Sequence, residues 1–194
     1  MKKLIVSVLL IGMMLSQSAF AAESSRFSDV PSNASYAKAV NTLADENVGI
    51  LNGDKAGRFN PDKTITRAEA AVIICKIAGV ADEAAKIKKS SFSDVPSNYW
   101  AVGYIAKANE LGIISGYSKT KFGPNDPVTC QQMLKMLICV WGQSELAVNE
   151  GGWPTGYTKI ATEYGYTKST DQKFEENAKR STVAVYVYNT IFVD

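Results

Sequence analysis

Apolar residues recur at helical spacing through most of the chain. Between Trp100 and Leu111 they fall at Trp100, Ala101, Tyr104, Ile105, Ala108 and Leu111, with Gly112 placed to end the helix. Other stretches are apolar on several faces: Ala70, Ala71, Val72, Ile73, Ile74 and Ile77 in one, Met133, Leu134, Met136, Leu137 and Ile138 in another. A helix apolar nearly all round belongs in a core. The pattern predicts buried helices over 66–78 and 129–141. A third stretch holds Val183, Ala184, Val185, Tyr186, Val187, Tyr188, Ile191 and Phe192. Its β-branched residues alone would fit a strand. Its place in the repeat described next makes it a helix. Residues 81–91, with Lys86, Lys88 and Lys89, read as a connector, helical or loose.

The chain repeats itself. Phe27-Ser28-Asp29-Val30-Pro31-Ser32-Asn33 returns as Phe92-Ser93-Asp94-Val95-Pro96-Ser97-Asn98. Gly49-Ile50-Leu51-Asn52-Gly53 is matched by Gly112-Ile113-Ile114-Ser115-Gly116, and Phe59-Asn60-Pro61-Asp62 by Phe122-Gly123-Pro124-Asn125. A third copy is shorter. Trp153-Pro154-Thr155-Gly156-Tyr157 echoes Trp100-Ala101-Val102-Gly103-Tyr104, Phe174 stands near the loop phenylalanine, and Lys179-Arg180 opens the second helix. Each copy reads as helix, loop, helix. Such hairpins cannot bury their faces alone, so the second helices are expected to share one core. The paired glycines are expected to serve left-handed turns.

Composition narrows the chemistry. Hydrophobic residues make up 46% of the 194 and charged residues 21%, ordinary for a globular protein. Lys2 and Lys3, an apolar run over 4–15 and Ala19-Phe20-Ala21 form the pattern of a cleaved export signal, residues 1–21. That run is shorter than the ~20 residues of a spanning helix, and no membrane span is expected in the mature chain. Removal of the two lysines leaves basic and acidic side chains level, which argues against nucleic acid. There is no histidine, so neither a Ser-His-Asp site nor His-ligated zinc can be built. No metal site and no cofactor is expected. Cys75, Cys130 and Cys139 are odd in number and read as core thiols.

Together the Phe-Ser-Asp-Val-Pro, Gly-Ile-Leu-Asn-Gly, Arg58-Phe59-Asn60-Pro61-Asp62 and Ile65-Thr66-Arg67-Ala68-Glu69 blocks resemble the S-layer homology family. The resemblance implies an all-α, pseudo-threefold assembly of three helix-loop-helix repeats sharing a central helical core. On this reading repeat 1 covers 22–80, a connector 81–91, repeat 2 92–145 and a degenerate repeat 3 146–194. The resemblance also implies non-covalent attachment of a secreted, cell-surface protein to secondary cell-wall polysaccharide, of the pyruvylated amino sugar type, in an inter-repeat groove. The family's Thr-Arg-Ala-Glu arginine is a binding residue, here Arg67. A guanidinium suits a carboxylate bidentately, and free N–H groups of a helix N-terminus also favour an anion. Arg180 is its counterpart in repeat 3. Trp100 is the candidate sugar platform, and Asp29 and Asp94 complete the candidate set, with turn-fixing as their alternative role. Thr66 with Glu69, and Thr129 with Gln132, fit capping boxes.

Repeat 2 has Cys130 in place of the arginine, so one groove is expected to be inactive. Subtracting signal and repeats leaves no cargo domain on this reading. The closest alternative is therefore a surface-coat or adaptor protein that binds another protein, with glycan binding lost. A carboxylate-dependent glycosidase using Glu69, Asp62 or Glu163 is a distant one, since no spacing singles out a pair. Asp54, Asn60 and Asp62 share a loop but not the order of a calcium loop.

Overall fold

The computed structural model describes residues 25–192; the expected export signal lies outside them. Eight helices follow one another among the described residues: α1 Ala37–Leu43, α2 Arg67–Ile77, α3 Ala81–Lys86, α4 Val102–Glu110, α5 Cys130–Val140, α6 Ser144–Asn149, α7 Thr155–Glu163 and α8 Arg180–Ile191. The class is all-α. The β-branched stretch that alone would fit a strand is α8, because burial on every side outweighs its local preference.

The second helices α2, α5 and α8 meet at their N-termini. Just before them, three extended residues close a ring of backbone hydrogen bonds. Ile65 N–H donates to Ala178 at 3.0 Å, Ala178 N–H to Val128 at 2.7 Å and Val128 N–H to Ile65 at 3.0 Å. The same cyclic order governs the helix starts. The N–H groups of Arg67 and Ala68 donate to the carbonyls of Asp126 and Pro124. Those of Cys130 and Gln131 donate to Glu176 and Phe174, and those of Arg180 and Ser181 to Lys63 and Pro61. Each helix start is thus satisfied by the loop of the next repeat. This geometry registers Phe174 with Pro61 and Pro124, so the residue standing at the position of Phe59 and Phe122 is Gln172.

The first helices extend the hand-over. α4 packs on α2, α7 on α5, and α1 on α8. Ile74, Leu134 and Leu137 are fully buried between them, each contributing about 1.5–3 kcal/mol by leaving water. Two short connector helices, α3 and α6, lie against α4 and α7. Gly103 and Gly156 permit this. A Cβ on Gly103 would overlap the carbonyl oxygen of Ala84, and one on Gly156 that of Ala147.

The paired glycines divide their work. Gly49 and Gly112 take left-handed backbone, φ 60° and 71°. Gly53 and Gly116 do not. They make room for rings, since a Cβ there would strike Phe27 or Phe92. Those rings in turn pack on Phe59 and Phe122, with centroids 5.5 and 5.3 Å apart.

Candidate functional site

The predicted site residues fall into two parallel constructions. In the first, the Asp29 carboxylate accepts from the N–H groups of Phe59 and Asn60, both at 2.7 Å. The Phe59 carbonyl accepts from Arg180 Nε at 2.8 Å, and Arg180 Nη2 donates to the Asn52 carbonyl at 2.8 Å. The guanidinium lies 4.6 Å from the Phe59 ring centre. In the second, Asp94 accepts from Phe122 and Gly123 at 2.9 and 2.7 Å. Arg67 donates from Nε to the Phe122 carbonyl at 2.8 Å and from Nη2 to Ser115 at 2.6 Å. Its guanidinium sits between the rings of Tyr117 and Phe122, at 4.6 and 4.5 Å.

The aspartates therefore hold a loop from one side while an arginine of another repeat holds it from the other. Burial pushes the Asp94 carboxyl upward, but the donors from Phe122 and Gly123 outweigh it and keep the group below its ordinary value. The loop tip includes a left-handed residue in both repeats, Asn60 at φ 59° and Gly123 at φ 72°. Two charge-assisted bonds stabilise it there.

The two arginines differ in access. Arg67 is 5% exposed, whereas Arg180 is only partly buried and lines a groove of about 290 Å³. Burial lowers the pKa of both guanidiniums, which stay charged. The groove is bounded by the loop of repeat 1 at Asn52 and Asp54, by Lys63 and Glu69, and by Trp100. Trp100 comes from repeat 2 and is 61% exposed. So Arg180, Trp100 and Glu69, predicted separately, share one site assembled from all three segments. Arg180 spends two of its five donors on carbonyls. Lys76 also lines the groove and bonds the carbonyls of Gly49 and Ile50.

The helix N-termini offer less than the sequence suggested. Arg67 and Ala68 give their N–H groups to neighbouring carbonyls, so the first turn of α2 holds no spare backbone donors at those positions for an anion. Thr66 Oγ1 accepts from Glu69 N–H, and Glu69 Oε2 accepts from Thr66 N–H at 2.8 Å. Thr129 and Gln132 repeat this closed box. In α8 the N-cap Lys179 has no side-chain cap. Gln172, reaching in from the loop, accepts from Lys179 N–H at 3.1 Å instead.

At the third junction Cys130 stands at the arginine's position, with the fully buried Tyr186 beside it. The thiol and the buried hydroxyl are neighbours, although Tyr186 Oη has no partner in hydrogen-bond geometry among the described residues. Burial pushes the thiols of Cys75 and Cys130 up to about 11. All three cysteines are free. The His/Cys/Asp/Glu side chains of the described residues form no cluster of three suited to a metal, and none of the helices there is long and apolar enough to cross a membrane.

Sequence reasoning missed Asn52, Lys63 and Lys76 in the groove and Tyr117 on Arg67. Asn52 and Ser115 occupy matching positions just before the second glycine, which was the available signal.

The model of the S-layer homology domain matches residues 26–71 and 91–134. The chain is 34% identical over 188 residues to the "Cell surface protein" of Thermoanaerobacter kivui, covering 95% of this chain and 24% of that protein. It is 31% identical over 174 residues to the "Middle cell wall protein" of Brevibacillus brevis, covering 87% and 16% respectively. With the "Cellulosome-anchoring protein" of Acetivibrio thermocellus it shares 31% identity over 147 residues, covering 69% and 33%. The chain thus spans a third or less of these relatives. It belongs to the S-layer homology family.

Proposed function

We propose that this protein attaches to the bacterial cell wall by binding secondary cell-wall polysaccharide in the groove between Arg180, Trp100 and the loop of repeat 1. Membership of the S-layer homology family, among surface-layer and wall-anchoring relatives, supports reading it as a secreted cell-surface protein with an anchoring role. The observation that carries the finer reading is the meeting of Arg180 and Trp100 in one groove. The guanidinium keeps donors for a carboxylate such as a pyruvate ketal on an amino sugar, and an exposed indole offers a flat apolar face to the sugar ring. Lys63 adds positive charge at the rim, beside Glu69 at 3.4 Å.

The test is sedimentation with purified wall sacculi, before and after removal of the secondary polysaccharide, using the intact protein and Trp100→Ala. Trp100 is exposed, so its truncation leaves the fold intact. Pelleting that needs both the polysaccharide and Trp100 supports the reading. A wild-type protein that never pellets, or that pellets equally with stripped sacculi, overturns it in favour of a protein partner.

A further inference from the structure

Asn52 and Gly53 form the one Asn-Gly pair in the sequence. Both residues are exposed and line the groove that Arg180 enters. Asparagine is a thermolabile residue, and a following glycine leaves its own nitrogen open to the asparagine carboxamide, because no Cβ stands in the way. Neither the Asn52 carboxamide nor the Gly53 N–H has a hydrogen-bond partner among the described residues. The fold itself requires the glycine. A Cβ at 53 would overlap the Phe27 ring and crowd the Arg58 carbonyl. Repeat 2 meets the same requirement with Gly116 but places Ser115 before it. The reactive pair therefore belongs to repeat 1 alone.

Arg180 adds an independent sign. The Asn52 carbonyl and the Gly53 nitrogen belong to one amide, and Arg180 Nη2 donates to the oxygen of that amide at 2.8 Å. When the amide gives up its proton, negative charge gathers on this oxygen, where the guanidinium already sits. Arg180 thus favours the nucleophilic form of the Gly53 nitrogen. Its Nε is anchored on the Phe59 carbonyl at 2.8 Å, which keeps the guanidinium in place while the amide reacts.

We propose that Asn52-Gly53 is a self-modification site, promoted by Arg180, whose product switches off the groove's attraction for anions. The Gly53 nitrogen gives its proton to hydroxide and attacks Cγ of Asn52. A cyclic imide closes as the carboxamide C–N bond breaks, and the leaving nitrogen takes a proton from water and departs as ammonia. Water then opens the imide at either carbonyl. Opening at Cγ gives aspartate. Opening at the α-carbonyl gives isoaspartate, with the main chain rerouted through Cβ and Cγ. In the second product the oxygen that Arg180 holds is part of a free carboxylate. The guanidinium then has an ion-pair partner inside the protein, and a carboxylate from outside must compete with it. The aspartate product adds the same charge to the same wall, where Lys63 and Lys76 also stand. The loss of grip rests on the wall-binding reading above; the modification itself does not.

The experiment ages the intact protein, Arg180→Gln and Asn52→Ser in mildly alkaline buffer and follows each asparagine by peptide mass analysis, with isoaspartate methyltransferase marking the rerouted product. Asn52 is expected to convert faster than any other asparagine, and several-fold more slowly in Arg180→Gln. Ageing in urea, where wild type and Arg180→Gln should convert at equal rates, isolates the effect of the folded geometry. An arginine that only clamped the loop would, on removal, loosen it and speed conversion. An equal or faster rate in folded Arg180→Gln therefore overturns the proposal, as does an unconverted Asn52. Aged wild type should pellet with intact sacculi several-fold less than fresh wild type, whereas Asn52→Ser should show no loss against its own fresh sample. Equal pelleting of aged and fresh wild type overturns the switch. Fresh protein that never pellets overturns the wall-binding reading and the switch with it, while the conversion rates still decide the chemistry on their own.

Discussion

Asp94 and Arg67 grip the two backbone polar groups of one residue: the carboxylate takes the N–H of Phe122, and the guanidinium takes its carbonyl. Asp29 and Arg180 do the same to Phe59. Of the residues that looked like ligand contacts, the arginines therefore fasten one repeat to another, and the aspartates fasten a loop within their own repeat.

Arg67→Ala should destabilise the protein by about 2–4 kcal/mol, because it strands the buried Phe122 carbonyl and empties the space between two rings. Arg180→Ala should cost less, since its side chain is better hydrated. Urea unfolding of both variants measures the difference. Arg67→Lys should recover only part of the loss, as an ammonium cannot stack between Tyr117 and Phe122.

Acid should weaken the fold in part through Asp94. A carboxyl held below its ordinary value stabilises the native state above the unfolded pKa, about 3.9, and that contribution is lost as pH falls through the folded value. Asp94→Asn should flatten the decline in urea midpoint between about pH 5 and pH 2, while lowering stability at neutral pH. A decline as steep as wild type would assign the acid sensitivity to other groups.

Cys130→Arg, which restores the family residue, should destabilise the chain by about 2 kcal/mol or more, because the position is fully buried beside Tyr186 and an unpaired charge would be buried with it. Adding Tyr186→Ile should recover part of the loss. A double-mutant cycle is expected to give a coupling of about 1 kcal/mol or more; additive costs would mean the two side chains do not compete.

Gly103→Ala and Gly156→Ala should each cost about 2 kcal/mol or more, since the added methyl meets a connector carbonyl. This exceeds the gain that Ala normally brings to a helix. Thermal or urea melts of the two variants provide the check.

Cys75 and Cys130 should resist a thiol reagent at mildly alkaline pH in the native protein and react on unfolding. Their thiols are raised to about 11 by burial, so little thiolate is present. Labelling followed by peptide mass analysis distinguishes them from the less buried Cys139.

Much of the helical plan was legible because it is local. Periodicity located α4, and Thr66 and Thr129 marked the starts of α2 and α5. The nature of α8 came from its register with the other copies, since Val183, Val185 and Val187 point locally the other way. What the sequence did not disclose is which repeat each arginine serves. Arg67 and Phe122 are 55 positions apart, Arg180 and Phe59 121, and no local signal encodes a cyclic exchange. Gln172 is the clearest case. It stands where a ring stands in the other loops and also supplies the cap that α8 lacks at its own N-terminus, which only the folded register reveals. Nor does spacing alone place Trp100 beside Arg180, because they come from different repeats and meet over a third.

The ring of bonds through Ile65, Ala178 and Val128 has a consequence for how such a protein can change. An open stack of repeats has two ends and grows or shrinks by one unit, keeping a cap at each side. A circuit that hands each helix start to the next loop has no ends. Deleting residues 146–194 would open two junctions at once and remove the arginine that serves the first segment. Inserting a single extra copy would break the circuit in the same way. Length in this architecture is therefore quantised, and gene duplication can enlarge it only by whole circuits.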